Sequence, residues 1–223
     1  MIYENKDQLK KGCKSILAYD GSDVRVLNES RFQEKLIDDL IYTVVFSPDP
    51  ATSQAAGFLI RRGASALGIM SASIQSLYEA MGRKELGGFT VPAINIRGIT
   101  YDVAQAVFRG AIKGNVGPVL FEIARSEIGY TEQRPLEYTC AVLAAAVKSG
   151  WRGPIFLQGD HFQINAKKFA ADAEKETQTV KDLIREAIVA GFYNIDIDTS
   201  TLVDLSQPTV KDQQRTNFTL AAE

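Results

Sequence analysis

The 223-residue chain has one histidine, two cysteines and one tryptophan, and each shortage excludes something. Cys13 and Cys140 are far apart and lack metal-ligand spacing, so neither a disulfide framework nor a cysteine-built zinc module is available. A single histidine, His161, cannot complete a catalytic zinc site, because such sites take about three protein ligands. Neither charge dominates. Lys and Arg number 25 against 27 Asp and Glu, a net charge of −2, which leaves no electrostatic footprint for nucleic acid or an anionic membrane. No apolar run is long enough to span a bilayer. Met1-Ile2-Tyr3-Glu4-Asn5-Lys6 has no apolar core behind it and does not read as a signal peptide. The expectation is a cytoplasmic protein with both thiols reduced.

What is present is ordinary globular material, 45% hydrophobic and 23% charged, long enough to bury a sizeable core. The chain reads as two regions. Residues 1–88 carry helical patterns over Leu27–Val45, Ala55–Leu67 and Ser71–Met81, separated by Pro48 and Pro50 and closed by Gly87-Gly88. They are expected to form a helical N-terminal extension with no catalytic pattern.

From Phe89 the pattern repeats. Strand candidates are Thr90–Ile96, Pro118–Ala124, Pro154–Gly159 and Tyr193–Asp198. Helices are expected over Tyr101–Lys113, Leu136–Lys148 and Lys168–Ala190, with stops at Gly114, Gly150 and Gly191. Strand, helix, glycine, strand is the order of βα units on a parallel sheet. The strand starts recur at about thirty to forty residues, a spacing that suits an α/β, (β/α)8 TIM barrel. Thr216–Glu223 reads like the opening of another helix. Residues 89–223 are therefore expected to be about the first four βα units, the first half of a barrel.

Ligands of such sheets sit at the C-terminal ends of the strands. Every run here ends in polar groups: Asn95 and Arg97; Glu122, then Arg125 and Ser126; Asp160-His161; Asp196, Asp198 and Ser200. A neutral imidazole at His161 is a good zinc ligand, and Asp160 beside it can carry a proton. Strand alternation puts Asp196 and Asp198 on one side and Ile195 and Ile197 on the other. Asp196 can equally pair locally, and Asp198-Thr199-Ser200 can cap a helix. The charged stretch Lys167–Arg185 reads as a solvated helix face.

Val91-Pro92-Ala93-Ile94-Asn95-Ile96, Pro118-Val119-Leu120, Gly159-Asp160-His161 and Asp198-Thr199-Ser200 together resemble the class II, zinc-dependent fructose-bisphosphate and tagatose-bisphosphate aldolases. The likeness runs from about Phe89 to the C-terminus. It implies reversible cleavage of a ketose 1,6-bisphosphate into dihydroxyacetone phosphate and glyceraldehyde 3-phosphate. It also implies His161 as a zinc ligand and Asp160 as the residue that exchanges a proton with the substrate hydroxyl. Asp198 would be a second carboxylate near the metal, and Asn95 and Ser126 substrate contacts. The zinc would act as a Lewis acid on the substrate carbonyl. Partners implied are a phosphorylated sugar and further copies of the chain, as a dimer or tetramer. Two departures stand out: the family's second-strand serine falls on Ala124, with Ser126 two residues late, and the later zinc histidines and phosphate-binding glycines are absent. Leu120-Phe121-Glu122-Ile123-Ala124, with Gly159-Asp160-His161 and Asn165, is also similar to the non-catalytic subunit of tagatose-bisphosphate aldolase, which implies a barrel that stabilises a partner.

Overall fold

The apolar runs after Phe89 become strands that point the same way. The computed structural model describes residues 1–223. Its first part contains α1 (Lys6–Cys13), β1 (Leu17–Tyr19), β2 (Val24–Val26), α2 (Glu29–Arg31), a π-helical turn (Phe32–Leu36), α3 (Ile37–Phe46), α4 (Pro50–Ala66), β3 (Ile69–Ala72) and α5 (Gln75–Gly82). The repeating part contains β4 (Ala93–Asn95), α6 (Thr100–Gly114), β5 (Leu120–Ala124), α7 (Arg125–Thr131), α8 (Pro135–Ser149), β6 (Gly153–Gln163), α9 (Ala166–Ala171), α10 (Ala173–Ala190) and β7 (Asn194–Asp198). A 3-10 turn (Ser200–Leu202), α11 (Val210–Gln213) and α12 (Arg215–Ala221) follow.

Strands β4, β5, β6 and β7 lie side by side in chain order, all parallel. The fold is α/β. The five-stranded sheet is open, since β4 and β7 do not pair with each other. The fifth strand is β3, which runs parallel to the first half of β6 while β7 takes the second half of β6. The helical reading of residues 1–88 therefore misses three strands. Ile69 is the only fully buried residue of β3, so the strand carries no alternating apolar signal. The helical spacing of Ile74, Leu77, Tyr78 and Met81 extends falsely back to Ser71, whereas the helix begins at Gln75. The β1–β2 hairpin is short, and its turn is made by Asp20 accepting from the N–H groups of Ser22 and Asp23.

The sheet has two unlike faces. Phe121, Ile123, Ile155 and Leu157 turn to the helices and join one apolar core that runs from Tyr3 to Phe192. At the centre of that layer is α8, which touches α3, α4, α6 and α10. Its residues Tyr138 to Val147 are all buried, as a helix apolar all round must be. Alternation sends Leu120, Glu122 and Ala124, and Phe156, Gln158 and Asp160, to the other face. Low on that face Leu120 and Phe156 pack with Ile74 and Leu77 at the start of α5. Above them a polar row crosses four strands, because Asn95 pairs with Glu122, Glu122 with Gln158, and Gln158 with Asn194. Asn194 ties β7 to its end-on neighbour β3: its amide donates to the carbonyls of Leu157 and Ala72 and accepts from the N–H of Ile74.

Helix ends follow the local chemistry. Gly150 and Gly191 take the left-handed conformation after α8 and α10. After α6 that position falls on Asn115, one residue beyond the expected stop at Gly114. The single helix expected over Lys168–Ala190 is broken at Asp172, whose side chain caps α10 by accepting from the N–H of Lys175.

Strand β6 is longer than its apolar run and contains a bulge. Gly159 pairs with Ile195 and Phe162 with Ile197, so Asp160 and His161 together face the single residue Asp196. His161 sits at φ 44°, the left-handed region. The bulge folds the Phe162 ring back onto Gly159, where a Cβ would lie 2.6 Å from the ring. Phe162 is fully buried and has nowhere to go. Gly159→Ala is expected to destabilise the fold by about 1–3 kcal/mol, as overpacking does. A urea midpoint equal to that of the parent protein would contradict this account of the bulge.

Candidate functional site

Neighbouring residues of a regular strand point to opposite faces. The bulge in β6 removes that restriction, and both Asp160 and His161 line one cavity of about 780 Å³ at the C-terminal ends of the strands. Asn95 and Arg97 reach it from β4 and the residues after it, Glu122 from β5, and Arg125, Ser126 and Glu127 from α7. Gln163, Asn165 and Lys168 close the side formed by the end of β6 and α9. The sequence-derived candidates Asn95, Ser126, Asp160 and His161 are thus brought together. Asp198 is not on the cavity wall; it stands behind His161.

The geometry around His161 is tight. Its Nδ1 lies 3.1 Å from Oδ2 of Asp198 and 3.8 Å from Oδ2 of Asp196, and its Nε2 lies 3.9 Å from Oδ2 of Asp160. Its backbone N–H donates to Asp196 at 3.2 Å, which helps to hold the bulge. The ring is 62% exposed, Asp196 46%, and Asp198 only 8%. Oδ1 of Asp198 accepts from the N–H and hydroxyl of Ser200 at 2.9 and 2.6 Å, and its Oδ2 accepts from the Gln163 amide at 2.6 Å. The N-cap position of the 3-10 turn falls on Thr199, which makes no side-chain cap; Asp198, one residue earlier, instead accepts from the Ser200 N–H two residues on, as in an Asx-turn.

Charge is distributed unevenly. The hydrogen bond to Asp198, then the charge of Asp160, raise the pKa of His161 and favour the imidazolium. Burial raises Asp160, with the carboxylate of Asp196 adding to it and His161 opposing. Burial, then Asp160, raise Glu122. Asp198 moves the other way. Burial pushes it up, but the Ser200 hydroxyl and N–H, His161 and Gln163 outweigh that and bring it to about 2.

Two supports hold this wall. Glu127 is buried; its Oε2 accepts from the Ala124 N–H and the Asn95 amide, each at 2.8 Å, and its Oε1 from Arg97 at 2.5 Å. Those donors outweigh burial and keep its pKa low. Arg125 pairs with buried Glu176 at 2.6 Å and donates to the carbonyl of Gln163, and Glu176 also accepts from the Asn165 N–H. Sequence reading missed Glu127 and Glu176. The trace of Glu127 is its place three residues after Ala124, the acidic half of a capping box at the start of α7. Glu176 leaves none, because it lies in a charge-rich helix that reads as solvated.

Asp160, His161 and Asp196 each offer a donor atom within 4.8 Å of the others. One imidazole nitrogen and two carboxylates are donors that a divalent cation accepts, zinc among several. Asp196 accepts one hydrogen bond and is exposed, so it has coordination capacity that Asp198 lacks. Cys13 and Cys140 are free and buried, away from the site. No helix is long and apolar enough to cross a membrane. Comparison with protein-family models, curated proteins and solved structures finds no match.

The depressed pKa of Asp198 has a consequence for acid stability. A carboxylate whose folded pKa lies below its unfolded value stabilises the fold above the unfolded value and loses that contribution as pH falls toward the folded one. For Asp198 the window runs from about 3.8 down to about 2. Asp160 and Glu122, raised on folding, act with the opposite sign. Asp198→Asn should therefore flatten the loss of stability between pH 4 and 2, read as urea midpoint against pH. A parallel loss in both proteins would show that the carboxylate is not held as described.

Proposed function

We propose that this chain forms the first four βα units of a class II-type barrel aldolase, which cleaves a ketose 1,6-bisphosphate to dihydroxyacetone phosphate and glyceraldehyde 3-phosphate. The observation that carries this reading is the bulged end of β6, which turns Asp160 and His161 into the same polar cavity beside Asp196. The parallel order of β4 to β7, with the polar ends of β4, β5 and β6 on one cavity, supports it further.

His161 and Asp196 would hold a zinc ion, with its remaining ligands from elsewhere, and the ion would supply Lewis-acid polarisation of a substrate carbonyl. The chain's own residues do the rest. Asp160, raised by burial, is suited to take and return a proton at a substrate hydroxyl. Asn95 is held at the cavity wall by Glu127, with its Oδ1 buried and unpartnered, and would contact the substrate there. Arg97, Arg125 and Lys168 give the cavity cationic groups suited to a phosphorylated substrate. Arg125 is held rigid by Glu176 and reads as the wall, while Lys168 is the freer cation.

The test is aldol cleavage of fructose and tagatose bisphosphates by the protein, before and after complete zinc removal. Cleavage lost to a chelator and restored by zinc is the expected result; cleavage that survives would overturn the metal role. Asp160→Ala should lower kcat by about 10²–10⁴-fold, the size of a lost proton-transfer group, while zinc content stays near that of the parent. Equal loss of zinc and turnover would make Asp160 a ligand instead. A protein with no cleavage that stabilises a catalytic partner would favour the non-catalytic subunit.

A further inference from the structure

Asp198 resembles a metal-site carboxylate in sequence, but its surroundings give it other work. A carboxylate offers about four acceptor sites. Around Asp198 four donors converge: the Ser200 N–H and hydroxyl on Oδ1, and the Gln163 amide and His161 ring on Oδ2. Its side chain is 8% exposed and does not reach the cavity wall. Binding an ion directly would break several of these bonds at once.

An ionised carboxylate only accepts, so Nδ1 of His161 must carry the proton of the 3.1 Å contact. In the neutral ring the lone pair then sits on Nε2. The Nε2 atom is on the Asp160 side, 3.9 Å from Oδ2 of Asp160. Three bonds independent of the ring fix the carboxylate, so the ring is oriented by something already rigid. Ser200 belongs to the 3-10 turn and Gln163 ends β6, so the turn after β7 and the bulge strand are both fastened to the same group.

We propose that Asp198 is the positioning residue of this site: it selects the Nδ1–H tautomer of His161 and turns the Nε2 lone pair toward Asp160 and the cavity. The use made of that lone pair rests on the aldolase reading; the tautomer itself does not. Outer carboxylates of this kind fix ring orientation and raise the basicity of a histidine ligand.

Because His161 is the only histidine, ring ¹⁵N labelling gives a single imidazole to observe. The protein without added metal is measured at a pH where the ring is neutral. The expected spectrum is that of the Nδ1–H tautomer. Asp198→Asn should turn its amide toward Nδ1 and move the ring to the Nε2–H form. Asp198→Ala leaves only the more distant Asp196, 3.8 Å from Nδ1, on that side of the ring, and should shift the ring toward the Nε2–H form if the backbone amide spectrum remains folded. A parent ring already in the Nε2–H form, or an Nδ1–H ring that persists in both folded variants, would overturn the proposal. Zinc titration separates the two ideas. With the tautomer as expected, Asp198→Asn should weaken zinc binding about 10–100-fold, the usual cost of losing an outer partner. The expected tautomer together with absent aldol cleavage would keep the positioning role and remove the aldolase reading.

Discussion

Alternation along a β-strand forbids two neighbouring residues from facing the same cavity, and the site of this protein depends on relaxing that rule once. The bulge at Asp160-His161 does so by setting two residues of β6 against Asp196. Much of the local structure follows from it. Gly159 must lack a side chain because the Phe162 ring lies against it. His161 takes a left-handed backbone, uncommon outside glycine though histidine is among the residues that adopt it more readily, and its N–H finds Asp196. Phe162 re-enters the core after the bulge, so the apolar layer continues past it.

Around that kink the charges fall into two groups. Asp160 and Glu122 face the cavity with few donors; burial raises both, and neighbouring carboxylates add to it, Asp196 for Asp160 and Asp160 for Glu122. Asp198, behind the wall, and Glu127, buried in it, have many donors and are held at low pKa. Carboxylates close together in the structure thereby acquire different protonation behaviour, a separation that suits acid–base chemistry. The Arg125–Glu176 pair fixes the wall between α7 and α10. Removing Arg125 would leave the buried Glu176 carboxylate without its ion partner, which costs about 3–5 kcal/mol.

Long periodic segments were readable from sequence because burial on one side imprints a pattern. Helices α6 and α8 and strands β5 and β7 lie within a few residues of their expected limits. β3 was not readable, since a short strand with one buried residue leaves no periodic mark. The break at Asp172 was also missed, because a capping aspartate inside a polar run looks like any other surface charge.

The order of amino acids by itself determined the βα repeat and the polar character of every strand end, because apolar periodicity and glycine stops are local properties. It also marked Asp160-His161 as the place to look. Only the tertiary structure decided which way these side chains point. A single extra residue in β6 reverses the facing of everything after it, and that residue is visible only through pairing with β7. The same pairing put Asp198 behind His161 and left Asp196 beside the cavity. Two aspartates two positions apart are equivalent in a sequence; the donors that surround Asp198 and not Asp196 come from Ser200, Gln163 and the His161 ring, which only the folded chain brings together.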